Sequence, residues 1–372
     1  MAFRVLAVYP RDVTTRIGLF EDGSDVMRRE IRHDEKELAK FHNAANQWSH
    51  RLRAIEELLS EWNPLGGAPP IDAVISLVWL PRDFPDGVYL VDCGLFESLD
   101  RLPPGENLSY LSLGALLAEA LSRPRGGAAY AVSAFSSVEM DQIARLSGLP
   151  ELSFGRTFQS IAVKDAMIRA SAEIGMEFEN ISAIAAHLGK NFTICAYSGG
   201  RVRDLSVSNE RGPFSTARPG ALPAAEIIRM AYSGSWSRDE LLESIMVSGG
   251  MASYTGITDL AEVSRSASRG DAFAGFVTRS MAYQVAQEIS AQATMLCGKV
   301  DAIVLTGGCA NDEALTDVIK EGVSWITDKI IVYPGTDRLM IMANCAFRVL
   351  CGKERALSLG DIVTAYGRDS SR

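Results

Sequence analysis

Apolar and polar residues alternate with a period of two over residues 3–9, 14–21 and 24–31, the pattern of half-buried strands. Asp22-Gly23 separates the second and third runs, and glycine tolerates the positive φ of a tight primed turn, so the pair predicts a hairpin. The period then lengthens. Leu38, Phe41, Ala45, Trp48, Leu52, Ile55, Leu59 and Trp62 recur at spacings of three and four, which places them on one stripe of a single long helix. Asp34 and Glu37 form a capping pair at its start, and Pro64 ends it. A strand over 71–77, a helix over 108–121 and a strand over 128–132 follow, with loops at 66–70 and 123–127.

The pattern then repeats. Strands are predicted over 181–186, 192–197 and 202–207, with a turn at Ser198-Gly199-Gly200. AVYPRDVTTRIGLFEDGSDVMRREI and AAHLGKNFTICAYSGGRVRDLSV both read strand, short loop, strand, glycine hairpin, strand. Two such units, each followed by helices and further strands, predict an α/β protein with a duplicated domain, divided as 1–160 and 161–372. The second half adds helices over 224–231, 238–246 and 272–297, the last closed by Gly298. A buried strand over 301–305 runs into Thr306-Gly307-Gly308, and a strand over 329–333 precedes a terminal helix from Leu339.

Composition narrows the class. The chain has 372 residues, enough for two cores, and its net charge of −9 argues against a general nucleic-acid surface. There is no run of about 18 apolar residues to span a membrane. The opening residues read into a strand without the apolar stretch of a secretory signal. The six cysteines stand singly and form no CxxC, so reduced core thiols in a cytoplasmic protein are expected. The four histidines show no metal-ligand spacing.

Seven motifs in order carry a resemblance: AHLG at 186–189, GRVRDLSV at 200–207, GPFSTARPGALP at 212–223, SGGMASYTGITD at 248–259, MAYQVAQEI at 281–289, KVDAIVLTGG at 299–308 and YPG at 333–335. With these the chain resembles the butyrate kinases, in the superfamily of acetate kinases, sugar kinases, actin and heat-shock chaperones. The resemblance implies duplicated actin-like (ribonuclease H-like) domains, each a mixed five-stranded sheet flanked by helices. It also implies a central cleft lined by 9–16, 187–193 and 306–308, with the substrate side in the first domain and the nucleotide side in the second. Such an enzyme transfers the γ-phosphoryl of ATP, with Mg²⁺, to a short-chain carboxylate. The implied nucleotide residues are Gly189, Gly256, Asp259, Thr306, Gly307 and Gly308, and the implied phosphate loops contain Arg11, Asp12, Thr14, Thr15, Arg16 and Lys190. Arg218 is either the surviving catalytic cation or a salt-bridge partner, His187 either a catalyst or a strand-end histidine, and Asp337 the remaining metal-side acid.

The departures fall where the chemistry is. The family's N-P-G-S-T-S-T-K loop is Tyr9-Pro10-Arg11-Asp12-Val13-Thr14-Thr15-Arg16, and its H-L-G-G-G-I-S loop is His187-Leu188-Gly189-Lys190-Asn191-Phe192-Thr193. Side chains thus stand where a phosphate needs bare backbone. Leu77 replaces the arginine of V-G-R-G-G, Ser133 the aspartate of V-D-P, and Gln159 the histidine of I-F-H. The histidine-bearing G-E-H-A-S-N-L-G has become the histidine-free stretch 105–114. After Y-P-G, the segment Thr336-Asp337-Arg338-Leu339-Met340 keeps one acid. One transition-state donor is worth ~2.7–4 kcal/mol, so two losses remove roughly 10⁴–10⁶ in rate. The expectation is a degenerate paralogue that binds a nucleotide or small anion as a regulatory subunit, either as a homodimer or as a heteromer with an active relative. The competing reading is an active carboxylate kinase with rewired residues.

Overall fold

The computed structural model describes residues 2–62, 70–78, 85–92, 94, 109–133, 140–154 and 158–358. Pro64, residues 66–69, Trp79, Cys93, residues 105–108 and Thr157 lie outside them. The chain divides into two compact units, 1–136 with 337–372, and 137–336. These are not the expected divisions at 1–160 and 161–372. Two segments change sides, each for a packing reason given below.

In the first unit the sheet runs β3-β2-β1-β4-β6-β5. Strands β1 (Arg4–Pro10), β2 (Thr14–Glu21) and β3 (Ser24–Arg32) form the antiparallel meander that the alternation predicts. Strands β4 (Ala73–Val78) and β6 (Ala128–Ser133) continue it in parallel with β1. The sixth strand, β5 (Val88–Leu90), adds to the five expected by pairing antiparallel with β6. Leu6, Val8, Ile17, Leu19 and Val74 share a core with Ile55 and Leu59 of α2 (Trp48–Trp62) and with Leu113 and Leu117 of α3 (Ser109–Ser122). The C-terminal helix, named α12 below (Arg338–Leu350), packs on β1, β2 and β4, so this segment belongs to the first unit.

The predicted long helix is interrupted. Asp34 caps α1 (Glu35–Leu38) as expected, accepting from the N–H groups of Lys36 and Glu37 at 2.7 and 3.3 Å. The helix then stops, and Asn43 Oδ1 accepts the Asn46 N–H at 3.0 Å. Such local side-chain bonds compete with the helical ladder. After a short 3₁₀ turn at Ala45–Gln47, α2 resumes with a different face inward. Trp48 is exposed, whereas Gln47 and Arg51 are buried in line with Ile55 and Leu59.

The second unit holds a five-stranded sheet, β11-β10-β7-β8-β9. Strands β7 (Ser182–His187), β8 (Thr193–Ser198) and β9 (Arg201–Val207) repeat the antiparallel meander of the first unit. Strands β10 (Ala302–Gly307) and β11 (Ile330–Pro334) extend it in parallel from β7. Alternation sorts the two faces. Ile184, Ala186, Ile194, Ile303 and Leu305 join one core, and Ala183, Ala185, Cys195, Tyr197 and Val304 the other.

The second face packs against Met140, Ala144 of α4 (Gln142–Arg145) and Val163 and Met167 of α5 (Ser160–Glu173). Asp141 fixes that segment to the sheet, which is why 137–160 belongs to this unit. Its carboxylate takes Arg203 Nη2 at 2.6 Å and Arg201 Nη2 at 2.7 Å. The Arg203 hydrogen bond first of all, joined by Arg201, holds the Asp141 carboxyl below the usual carboxylate range, with burial opposing in part. A depressed carboxylate stabilises the fold above its unfolded pKa and loses that contribution as pH falls through the folded value. Asp141→Asn should therefore cost about 1 kcal/mol at neutral pH, after screening, and progressively less in acid. Denaturant unfolding of both proteins across this pH range checks it; a difference that grows in acid would contradict it.

Candidate functional site

Three turns of the second unit meet around a cavity of about 330 Å³, within the ~300–1,000 Å³ range of small-molecule sites. Gly189 and Lys190 line it from the β7–β8 loop, Gly308, Cys309, Asn311 and Asp312 from the segment after β10, and Thr258 and Asp259 from a third loop. Thr216 contributes from the 212–220 segment.

Backbone contacts lock the first two turns together. Leu188 N–H donates to the Thr306 carbonyl at 2.6 Å, and Cys309 N–H to the Leu188 carbonyl at 2.8 Å. Between them Gly307 has φ +98°, and a Cβ there would lie 2.5 Å from the Leu188 carbonyl oxygen. Only glycine permits this approach. Gly308 has open space around it, so the turn presents bare backbone to the cavity. Thr306 itself is buried beneath the turn.

Asp259 caps α9 (Leu260–Ser268), its Oδ1 accepting from Ala261 N–H at 3.1 Å. Asp312 caps α11 (Glu313–Val323) in the same way, through Leu315 N–H at 2.9 Å. Asn311 Nδ2 donates to the Gly308 carbonyl at 2.8 Å and braces the glycine turn from behind. Burial, then Asp312 and Asp259, push the Cys309 thiol up to about 12, so it remains a neutral thiol at the wall. Gly256, with φ +70°, ends α8 (Met251–Thr255) and does not line the cavity.

The 212–220 segment is held as tightly. Ser215 is fully buried, its hydroxyl donating to the Lys190 carbonyl at 2.6 Å and accepting the Arg218 N–H at 3.1 Å. It therefore ties the Lys190 loop to the turn bearing Arg218. Gly250, at φ +65° and ψ −140°, sits below; a Cβ there would come within 2.1 Å of the Ser215 carbonyl oxygen. Arg218 is half-buried, and its guanidinium donates to the Ala217 carbonyl at 3.1 Å. Burial lowers its pKa from the ordinary arginine value. No carboxylate pairs with it among the described residues. Lys190 is exposed at the cavity. His187 is buried at the end of β7 and does not line the cavity.

The other predicted residues lie in the first unit. Arg11 and Asp12 are exposed on the β1–β2 loop, and Arg16 pairs with Glu30. Thr14 and Thr15 are buried; the Thr15 hydroxyl is bonded to Arg51 Nη1 at 3.0 Å and lies 2.9 Å from His33 Nε2. Thr15 thus faces the interior rather than a ligand. Leu77 and Ser133 are buried in β4 and β6; Gln159, in the second unit, precedes α5 at its N-cap.

A Mg²⁺ site does not fit Asp337. Its Oδ1 caps α12 through Met340 N–H at 3.1 Å, and its Oδ2 pairs with Arg28 at 2.6 Å. The neighbouring Arg338 places its guanidinium 5.8 Å from the Tyr9 ring centre, adding a second positive group where a divalent cation would need acids.

Thr216, Thr258, Asn311 and Asp312 line the cavity without having been picked out in the sequence. Asn311-Asp312-Glu313 was legible as a helix start directly after a glycine turn, whereas nothing local marked Thr216.

The Acetokinase family profile matches residues 164–325. The chain is 34% identical over 354 residues to probable butyrate kinase 2 of Caldanaerobacter subterraneus subsp. tengcongensis, covering 95% of this chain and 98% of that one. It is 33% identical over 357 residues to butyrate kinase 2 of Clostridium acetobutylicum, covering 96% and 99%. The fold is similar to acetate kinase from Porphyromonas gingivalis, with TM-score 0.75, 17% identity and coverage of 94% and 100%. It is also similar to the Entamoeba histolytica acetate kinase, with TM-score 0.73, 14% identity and coverage of 92% and 98%. Duplicated actin-like units, the glycine-turn cavity and near-full-length identity lead to one conclusion: the chain belongs to the butyrate kinase family.

Proposed function

We propose that this protein binds an adenine nucleotide in the second unit and has lost efficient phosphotransfer to carboxylates, acting instead as a binding or regulatory subunit. The observation that carries the reading is a contrast between the units. In the second, the glycine turn, Thr258, Asp259 and Asn311 are assembled around a cavity of nucleotide-binding size. In the first, Leu77 and Ser133 occupy the positions where the family pattern has arginine and aspartate. ATP and Mg²⁺ are usual in this family, yet both oxygens of Asp337 are engaged within the fold. Lys190, which lines the cavity, and Arg218, on the turn that Ser215 ties to the Lys190 loop, are the cations this reading assigns to a polyphosphate. The competing reading, an active carboxylate kinase, rests on the same cations together with Arg11 and Arg16.

The test combines calorimetry with hydroxamate trapping of acyl phosphate from acetate, propionate, butyrate and branched acids. Nucleotide should bind, EDTA should change its affinity by less than about tenfold, and turnover should stay below about 10⁻² s⁻¹. Turnover in the ordinary enzymic range of ~1–10³ s⁻¹ would establish the active reading instead.

A subunit role also needs a surface. Helix α6 (Ala224–Tyr232) buries none of its residues, and α7 (Arg238–Met246) buries Leu241 alone. Tyr232 is 88% exposed, and Leu222, Ile228, Trp236, Leu242, Met246 and Val247 are exposed beside it in sequence. A nine-residue helix is marginal by itself in water. Each aromatic offers ~150–250 Å², so these residues approach the ~800 Å² per partner of a stable interface. The occupant proposed is a second copy of this chain. Light scattering should give twice 40.3 kDa, and Ile228→Glu with Tyr232→Glu should give the monomer. A monomeric wild type at micromolar concentration, or pairing only with an intact butyrate kinase, would refute self-association.

A further inference from the structure

Three of the sequence motifs, at 200–207, 212–223 and 281–289, meet along one face of α10 (Ala272–Met295). That helix buries Met281, Val285 and Ile289 in the core it shares with Ile184 and Ile194 of the sheet. Beside this apolar stripe, Gln284, Glu288 and Gln292 recur at every fourth position. Neighbours in such a row stand about one turn, or ~6 Å, apart along the helix.

Each of the three reaches a different part of the second unit. Gln292 Oε1 accepts the Ala196 N–H at 3.1 Å, where β9 carries one residue, Arg203, more than β8 opposite it. A bulge of this kind interrupts the ladder, and Gln292 supplies an acceptor there. Ser206 of β9 donates its hydroxyl to Glu288 Oε1 at 2.5 Å and accepts from Gln292 Nε2 at 3.3 Å. Gln284 Oε1 accepts the Phe214 N–H at 3.1 Å.

The contacts of Gln292 and Glu288 end on paired strands, which their own ladders also fix. Phe214 belongs to no strand or helix. Its ring is buried in the core around Met281, but packing alone is not directional, whereas a hydrogen bond aimed at one N–H fixes the register of the backbone. The next residue, Ser215, bonds the Lys190 carbonyl and the Arg218 N–H, and Thr216 after it lines the cavity. A chain of contacts thus runs from α10 through Phe214 and Ser215 to the Lys190 loop, all of it within the second unit.

We propose that Gln284 is a positioning residue for the cavity: its side-chain carbonyl sets the register of residues 214–216 and, through Ser215, of Lys190. The ligand is that of the nucleotide reading above, on which the affinity measurement rests; the effect on the segment does not depend on it. Gln284→Met removes the acceptor at similar volume, and Gln284→Glu keeps one at the same reach. Gln284→Asn, shorter by a methylene, serves where the methionine variant folds poorly. Gln292→Met, at the strand end of the same row, is the control for stability.

The amides of Ser215, Arg218, Met251 and Ala252 report on the segment, because the acceptor of each lies in residues 215–218 and none touches Gln284. By hydrogen exchange they should open about tenfold more readily in Gln284→Met, while β7 and β10 keep their rates and Gln284→Glu returns to within about twofold of wild type. By calorimetry, ADP should bind Gln284→Met about tenfold more weakly, and Gln292→Met should lower the denaturant midpoint yet keep ADP affinity within about twofold. Unchanged exchange at the four amides, no recovery in the glutamate variant, or equal losses of ADP affinity in the two methionine variants would overturn the proposal. If the wild type binds no ADP, the nucleotide reading fails, and exchange at the four amides alone decides for or against Gln284.

Discussion

The candidate site depends on one close approach of two backbones. Where β10 ends, Gly307 passes so near Leu188 that no side chain fits between them, and two peptide hydrogen bonds hold the turns in register. Everything that lines the cavity from these turns, from Lys190 to Asp312, is placed by that contact. The same logic extends outward through Ser215, whose single hydroxyl bonds both the Lys190 loop and the turn bearing Arg218. The cavity is thus framed largely by backbone contacts.

The first unit solves the corresponding problem differently. Its β1–β2 loop is held from below by buried side chains, with Arg51, Gln47, His33 and Thr15 forming a satisfied polar group inside an apolar core. Burial, then Arg51 and His50, press the His33 pKa down to about 4, so the ring is neutral at ordinary pH and adds no second charge beside the guanidinium. Elsewhere in this unit, Arg28 pairs with both Asp25 and Asp337, and Arg338 stands over the Tyr9 ring. Both Asp337 oxygens are engaged there by contacts internal to the fold.

Much of this was legible in the sequence. The period-two runs and glycine hairpins marked the two meanders, and Thr306-Gly307-Gly308 marked the central turn, because local sterics leave glycine alone able to make it. The break after Leu38 was less legible. Phe41 and Ala45 continue the helical spacing across the break, and the Asn43 side chain, accepting from Asn46 N–H, starts the next turn. Arg51 was hidden for a related reason. An arginine within this amphipathic helix reads as solvated until the loop acceptors that bind it, two carbonyls and a hydroxyl 36 to 39 positions away in the chain, are known. The division into contact units is likewise not local, since the packing of α12 and the hold on Asp141 are long-range facts. Thr15 read as a phosphate contact by its place in a motif, but its hydroxyl is spent on Arg51 and His33.

The central claim is that the nucleotide half of a butyrate-kinase-family fold has been kept while the carboxylate half has been lost. Saturation-transfer NMR on the protein with adenosine and butyrate together tests both halves in one sample. The account predicts saturation of the adenine protons and none of the butyrate methyl group. Transfer to the butyrate methyl, displaced by propionate, would contradict it.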